Sequence, residues 1–223
     1  MALSSEEARV LAVLIEKETT VPDSYPLTLN ALRLGCNQTS NRFPVVAYED
    51  RTVENALMAL KSIGLVRFVH PSHGGRTIRY RHVADDRWHL GPNELAVLAT
   101  LALRGPQTAG EIKSRAERQL HRDGLTVEEA LDTLAGRSPE PFAVQLERRP
   151  GDRERRWAHL LCGEPDETVA DPTGPIAAVA APAPDRLAEL EADVAALRAR
   201  LDHLEALLGV TEPEPDQPAD NAR

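Results

Sequence analysis

The sequence predicts a mainly α fold with small β-hairpins, an α+β chain whose first 163 residues are built twice. Three observations carry this. Leu3-x-x-x-Glu7-x-x-Val10-Leu11-Ala12-x-Leu14 returns 87 residues later as Leu90-x-x-x-Glu94-x-x-Val97-Leu98-Ala99-x-Leu101. Thr52-Val53-Glu54-x-Ala56-Leu57-x-x-Leu60 returns 74 residues later as Thr126-Val127-Glu128-x-Ala130-Leu131-x-x-Leu134. Two patterns recurring in the same order mark a structural repeat. After each second pattern the apolar spacing changes from helical to strictly alternating, the sign of strands. Finally, a heptad of apolar residues closes the chain.

The elements follow in order. A first helix opens near Ser4, whose hydroxyl and Glu7 suit a capping box, and Val10, Leu11, Leu14 and Ile15 share one face. A short second helix covers about 27–35. Its counterpart starts at Thr108, where Thr108 and Glu111 again suit a capping box. A third helix starts at Thr52, matched at Thr126 with Glu129, and Val53, Ala56, Leu57, Leu60 and Ile63 form its buried stripe. "LVRFVH" and "TIRYRHV" then flank "PSHGG", two strands around a Gly/Pro turn; "FAVQLERR" and "RRWAHLL" flank "PGD" likewise. Three helices and a hairpin are the layout of a winged helix. Residues 1–86 are therefore expected to form winged-helix domain 1 and residues 87–163 winged-helix domain 2.

The repeat offset falls from 87 to 74, so the first unit carries 13 extra residues between its first and third helices. Aligning Thr28 with Thr108 puts seven before the second helix and six after it. The enlarged connection holds "CNQTSNR", residues 36 to 42, a run of amide, hydroxyl and guanidinium groups with one thiol.

Residues 164–184 are rich in Pro and Ala and read as a semi-extended linker. In 185–208, Leu187, Leu190, Val194, Leu197, Leu201, Leu204 and Leu208 alternate at spacings of three and four, an a/d seam. A parallel homodimer would pair Arg186 with Glu191, Asp193 with Arg198 and Arg200 with Glu205, all attractive. The other reading is a helix docked on its own domains. Residues 209–223 have the composition of a disordered tail.

Composition narrows the setting. Residues 1–163 carry 22 Lys and Arg against 21 Asp and Glu, whereas residues 164–223 carry 4 against 14. The formal charge of −9 thus belongs to the tail, and the front remains free to meet a polyanion. Cys36 and Cys162 make no disulfide framework and suit a reducing compartment. The start lacks a signal-peptide layout, and no apolar run approaches the ~18 residues of a membrane span. A cytoplasmic protein with no membrane partner is expected.

"LSSEEARVLAVLIEKETTVPDSYPLTLNALRLGCNQTSNRFPV", "LRGPQTAGEIKSRA" and "LERRPGDRERRWAHLLCG" resemble the YceH-like family of bacterial proteins. The resemblance spans residues 3–163 and implies a tandem winged-helix fold. It implies no activity, since that family is functionally uncharacterised.

No catalytic, metal or cofactor set assembles from the sequence. Cys36 has no predictable base or acid partner, His70 and His73 have ligand-like spacing without companions, and paired-carboxylate and phosphate-loop motifs are missing. Nucleic acid is better motivated. Between Glu54 and Asp85 lie 30 residues without an acid, holding Lys61, Arg67, Arg76, Arg79 and Arg81, with His70, His73 and His82, and with Phe68 and Tyr80 interleaved. Such a hairpin can neutralise phosphates. Arg51 and Asn55 lie on the outer face of the third helix, and Asn can read adenine. The matching helix of the second unit presents Glu128, Glu129 and Asp132, which a phosphate lattice repels. For the family-motif loop, Cys36, Asn37, Gln38, Asn41 and Arg42, two readings stand. In one, the amides close a turn and Arg42 anchors it to Glu49 or Asp50; in the other, they face a ligand or DNA. Turn chemistry favours the first. The expected function is non-enzymatic binding of double-stranded DNA, as a transcriptional regulator led by the first unit. The alternative is a protein–protein scaffold using the second unit and the C-terminal helix.

Overall fold

A computed structural model of the chain describes residues 2–70, 77–121, 123–148 and 151–165. They belong to the first of two compact units, Met1–Gly174; the second, Pro175–Arg223, lies outside the described residues. The linker, the heptad seam from Leu187 to Leu208 and the tail therefore have no structural counterpart below.

The fold is mixed α+β, and its elements come in the predicted order. α1 (Ser5–Thr20) is capped by Ser4, whose Oγ accepts from the Glu7 N–H while the Glu7 carboxylate accepts from the Ser4 N–H. β1 (Leu27–Thr28) leads straight into α2 (Leu29–Cys36), where Thr28 caps the Ala31 N–H. α3 (Asp50–Ser62) is followed by β2 (Val66–Val69) and β3 (Arg79–His82). After a short α4 (Ala84–Trp88), the series resumes with α5 (Pro92–Arg104), α6 (Ala109–Ala116) and α7 (Val127–Gly136). β4 (Ala143–Gln145) and β5 (Trp157–His159) close it. Thr108 and Thr126 make the capping boxes expected of them with Glu111 and Glu129.

Three features depart from expectation. α3 starts at Asp50 rather than Thr52, and its N-cap, Glu49, makes no side-chain capping bond. α4 is new, and residue 86, the expected domain boundary, falls inside it. Each hairpin also gains an edge partner. β1 pairs antiparallel with β3 through Leu27↔Tyr80 and Thr28↔Arg79, giving a sheet of order β1-β3-β2. In the second repeat Gln107 bridges Trp157 in the same way. Both partners sit immediately before a Thr N-cap, so the repeat extends to tertiary pairing. One or two residues are too few to show a period, which is why the sequence is silent on them.

α1 and α5 form the centre. From Ala8 to Ile15 every residue of α1 is buried, and so is every residue of α5 from Asn93 to Leu101. One face of each helix packs in its own repeat, α1 on α3 and α5 on α7, while the other faces pack on each other. A helix that is apolar all round is a buried helix. Leu11, Leu14, Leu98 and Leu101 are fully enclosed, each contributing about 1.5–3 kcal/mol of transfer free energy. One contiguous cluster thus joins both repeats. The backbone ties them too: the Leu3 N–H donates to the Leu161 carbonyl and the Phe43 N–H to the Leu103 carbonyl, each at 2.7 Å.

Candidate functional site

Strand alternation sorts the first hairpin into two faces. Val66, Phe68, Tyr80 and His82 turn inward: Phe68 and Tyr80 meet edge to face with ring centroids 4.9 Å apart. Tyr80 is buried and Phe68 half-buried against the core, so both rings turn away from the outer face. His82, counted among the cations of the acid-free stretch, is also internal. Its Nδ1 accepts from the Ala84 N–H, which places the ring proton on Nε2, facing the Glu18 carboxylate at 2.8 Å.

The outer face carries Arg67, Arg79 and Arg81. Arg67 and Arg81 stand directly opposite each other across β2 and β3. Like charges in a cross-strand pair destabilise a sheet, and no acid lies on either strand. Arg67 makes no hydrogen bond or ion pair with any described residue. Arg79 is partly committed, since Nη1 donates to the Ser24 and Pro26 carbonyls at 3.2 and 2.7 Å. It fastens the chain before β1 to the sheet.

The six nominated residues that the structure describes do not converge. Lys61 leans over the Phe68 ring at 4.3 Å, on the inner side of the sheet. Arg51 and Asn55 are exposed on α3 one turn apart, with exposed Glu54 beside them. The sheet therefore separates the helix candidates from the strand candidates. His73 and Arg76 lie outside the described residues. In the second hairpin, Arg148, Arg153 and Arg155 are exposed, whereas Arg156 is buried beside Asp152 at 3.5 Å.

The 36–42 loop is bound inward. Asn37 closes the connection on itself: its Nδ2 donates to the Tyr48 carbonyl at 2.9 Å and its Oδ1 accepts from the Tyr48 N–H at 2.8 Å. Arg42 is enclosed, and its partner is neither Glu49 nor Asp50. Nη1 and Nη2 donate to the two Glu16 carboxylate oxygens on α1, at 3.2 and 2.6 Å, while Nε donates to the Gly35 carbonyl at 3.0 Å. Asp50 is taken instead by Arg33 Nε at 2.7 Å. Asn41 is exposed with φ of 60°. Asn tolerates that left-handed backbone, so its contribution is conformational rather than that of a buried amide.

Burial alone would raise the Glu16 carboxyl, but the hydrogen bonds and charge of Arg42, with Lys17 beside it, hold it below the usual carboxylate range. Burial pushes the Cys36 thiol up to about 12, so it stays protonated at neutral pH. Among the described residues, no group of three or more His, Cys, Asp or Glu is placed to hold a metal, and no helix is long and apolar enough to cross a membrane.

Sequence reasoning passed over Arg9. It is buried on α1, donating to the Cys36 carbonyl at 3.3 Å and the Pro44 carbonyl at 2.7 Å. The available signal was an arginine inside the all-apolar stretch that follows Glu7. Glu16 gave none, being 26 residues from the arginine it holds.

Comparison with known proteins places this geometry in context. A family described as "Protein of unknown function, DUF480" matches residues 3–152. A UPF0502 protein of Geobacter sulfurreducens is 48% identical over 201 residues, covering 87% of this chain and 90% of its own. A UPF0502 protein of Geotalea uraniireducens is 46% identical over 203 residues, covering 89% and 91%. One from Verminephrobacter eiseniae is 42% identical over 229 residues, covering 98% and 94%.

Proposed function

The chain belongs to the DUF480 family of bacterial proteins of unknown function, and from that premise we propose that it binds double-stranded DNA without catalysis, as a tandem winged-helix regulator led by its first repeat. The observation that carries this reading is the Arg67–Arg81 couple on the outer face of the first hairpin, which has no acid on either strand, with Arg79 beside it. Folding alone would place an acid or a neutral residue opposite Arg67, because the pair costs stability as it stands. A phosphate backbone removes that cost by supplying the missing anions. The helix–helix–helix–hairpin order, with an edge strand ahead of the second helix in the first repeat and a single bridge in the second, supports the winged-helix assignment. The second repeat differs: α7 exposes Glu128, Glu129 and Asp132 and no cation. That surface favours a protein partner over DNA.

The test is binding of the full-length protein to random duplex DNA across a salt series. Each phosphate contact adds about 0.9 to the log–log salt slope. Arg67→Ala with Arg81→Ala should flatten it by about two units, while Arg153→Ala with Arg155→Ala should leave it unchanged. A folded Arg67/Arg81 double variant with the wild-type slope would remove this face from the interface.

A further inference from the structure

A cleft of about 530 Å³ opens where the two repeats meet. One wall is the last turn of α1 with residues 37–41; the other is the end of α5 and the end of α6. Its volume falls within the range of small-molecule sites, and such sites favour junctions between structural units. It shares no residue with the Arg67 face.

Its charge is lopsided. Lys17, Arg104, Arg115 and Arg118 line it against one acid, Glu16, which is already taken by Arg42 through both oxygens and by Lys17 at 3.2 Å. Arg115 is shared with Gln107 and Glu111. Arg104 and Arg118 make no hydrogen bond or ion pair through their side chains with any described residue. Arg104 is half-buried, and burial together with the nearby Arg115 charge lowers its proton affinity. Crowding cations in a partly desolvated recess costs free energy unless a counter-anion completes it. The rim also offers neutral groups. Gln38, Thr39 and Ser40 line the cleft with side chains that make no hydrogen bonds to described residues. Gln119 adds a buried Oε1 with no hydrogen-bond partner among the described residues, an acceptor suited to a hydroxyl.

We propose that this cleft is a binding site for a phosphorylated, hydroxyl-bearing small molecule, with Arg104 and Arg118 holding the phosphate and the 37–41 loop with Gln119 reading the body. Two guanidinium forks match the geometry of a phosphate dianion. Because each repeat supplies one wall, the ligand bridges them.

Calorimetric titration of the full-length protein with inorganic phosphate tests this, at fixed ionic strength against sodium chloride. Phosphate generally stabilises folded proteins by exclusion from their surface, so heat of binding rather than melting temperature is the readout. One saturable site is expected. Losing one charged hydrogen-bonding partner should weaken it at least about tenfold in Arg104→Gln or Arg118→Gln, while Lys113→Gln on the exposed side of α6 leaves it unchanged. Arg118 is exposed, so its variant keeps the test valid if Arg104→Gln does not fold. No saturable heat, or wild-type affinity in the Arg118 variant, would overturn the proposal. Displacement of phosphate by a short duplex would overturn the small-molecule assignment in favour of nucleic acid. No DNA enters the first measurement, so failure of the DNA reading leaves this result standing.

Discussion

The two repeats solve one problem with different chemistry. Each must run an irregular connection from its second to its third helix over buried ground, where the backbone polar groups need partners. In the first repeat the connection runs from 37 to 49, and α1 holds it with charge: Arg9 takes two carbonyls, and Glu16 grips Arg42 from below. In the second it runs from 117 to 126, and α5 holds it with one neutral amide. Asn93 Nδ2 donates to the His121 and Leu125 carbonyls at 2.9 and 2.7 Å, and its Oδ1 accepts from the His121 N–H at 2.7 Å. The longer connection brings its own buried cation, and that cation demands a buried anion. The difference teaches that the "CNQTSNR" run is in large part the internal wiring of the enlarged loop. The part that faces outward is its middle, Gln38 to Asn41, on the rim of the inter-repeat cleft.

The sharpest break in this comparison is Glu16→Ala. It strands the Arg42 guanidinium in the interior, where removing one partner of a buried ion pair costs about 3–5 kcal/mol. Thermal or urea unfolding should show that loss; a drop below ~1 kcal/mol would mean that water reaches Arg42. Asn93→Ala is the neutral counterpart. It leaves the Leu125 carbonyl and the His121 N–H without partners, while the His121 carbonyl keeps the Gly124 N–H, at about 1–3 kcal/mol for a buried group left unpaired. If Asn93→Ala proved costlier than Glu16→Ala, the contrast between charged and neutral fastening would fail. The smallest effect concerns the third helices. Thr126→Ala removes the Oγ1 that caps the Glu129 N–H and its hydroxyl bond to the Glu129 carboxylate, leaving the backbone half of the box, and should cost ~1 kcal/mol. Glu49→Ala, at an N-cap with no side-chain bond, should be near neutral. Equal losses at the two positions would show that the caps are not what separates them.

The capping boxes at Ser4, Thr108 and Thr126 were legible because donor and acceptor lie three residues apart. The missed start of α3 makes the same point in reverse. Thr52 carries the sequence signature of a cap, yet the helix runs back to Asp50, whose carboxylate is fixed by Arg33 from α2. The acid-free stretch was equally readable as composition. Its division was not: pairing Phe68 with Tyr80 turns both rings inward and leaves Arg67 and Arg81 outside, while Lys61 settles on the inner side.

The sequence by itself determined the repeat, the order of helices and hairpins and most of their ends. These depend on apolar periodicity and on hydrogen bonds between near neighbours, which a linear reading contains. Tertiary structure alone decided that α1 and α5 bury every side, that Arg42 finds Glu16 rather than Glu49 or Asp50, and that β1 and Gln107 complete the sheets. It also brought Arg104, Arg115 and Arg118 to face the 37–41 loop across one cleft. Each of these depends on which distant surfaces exclude water from one another, and burial of that kind selects partners by proximity in the fold, not along the chain.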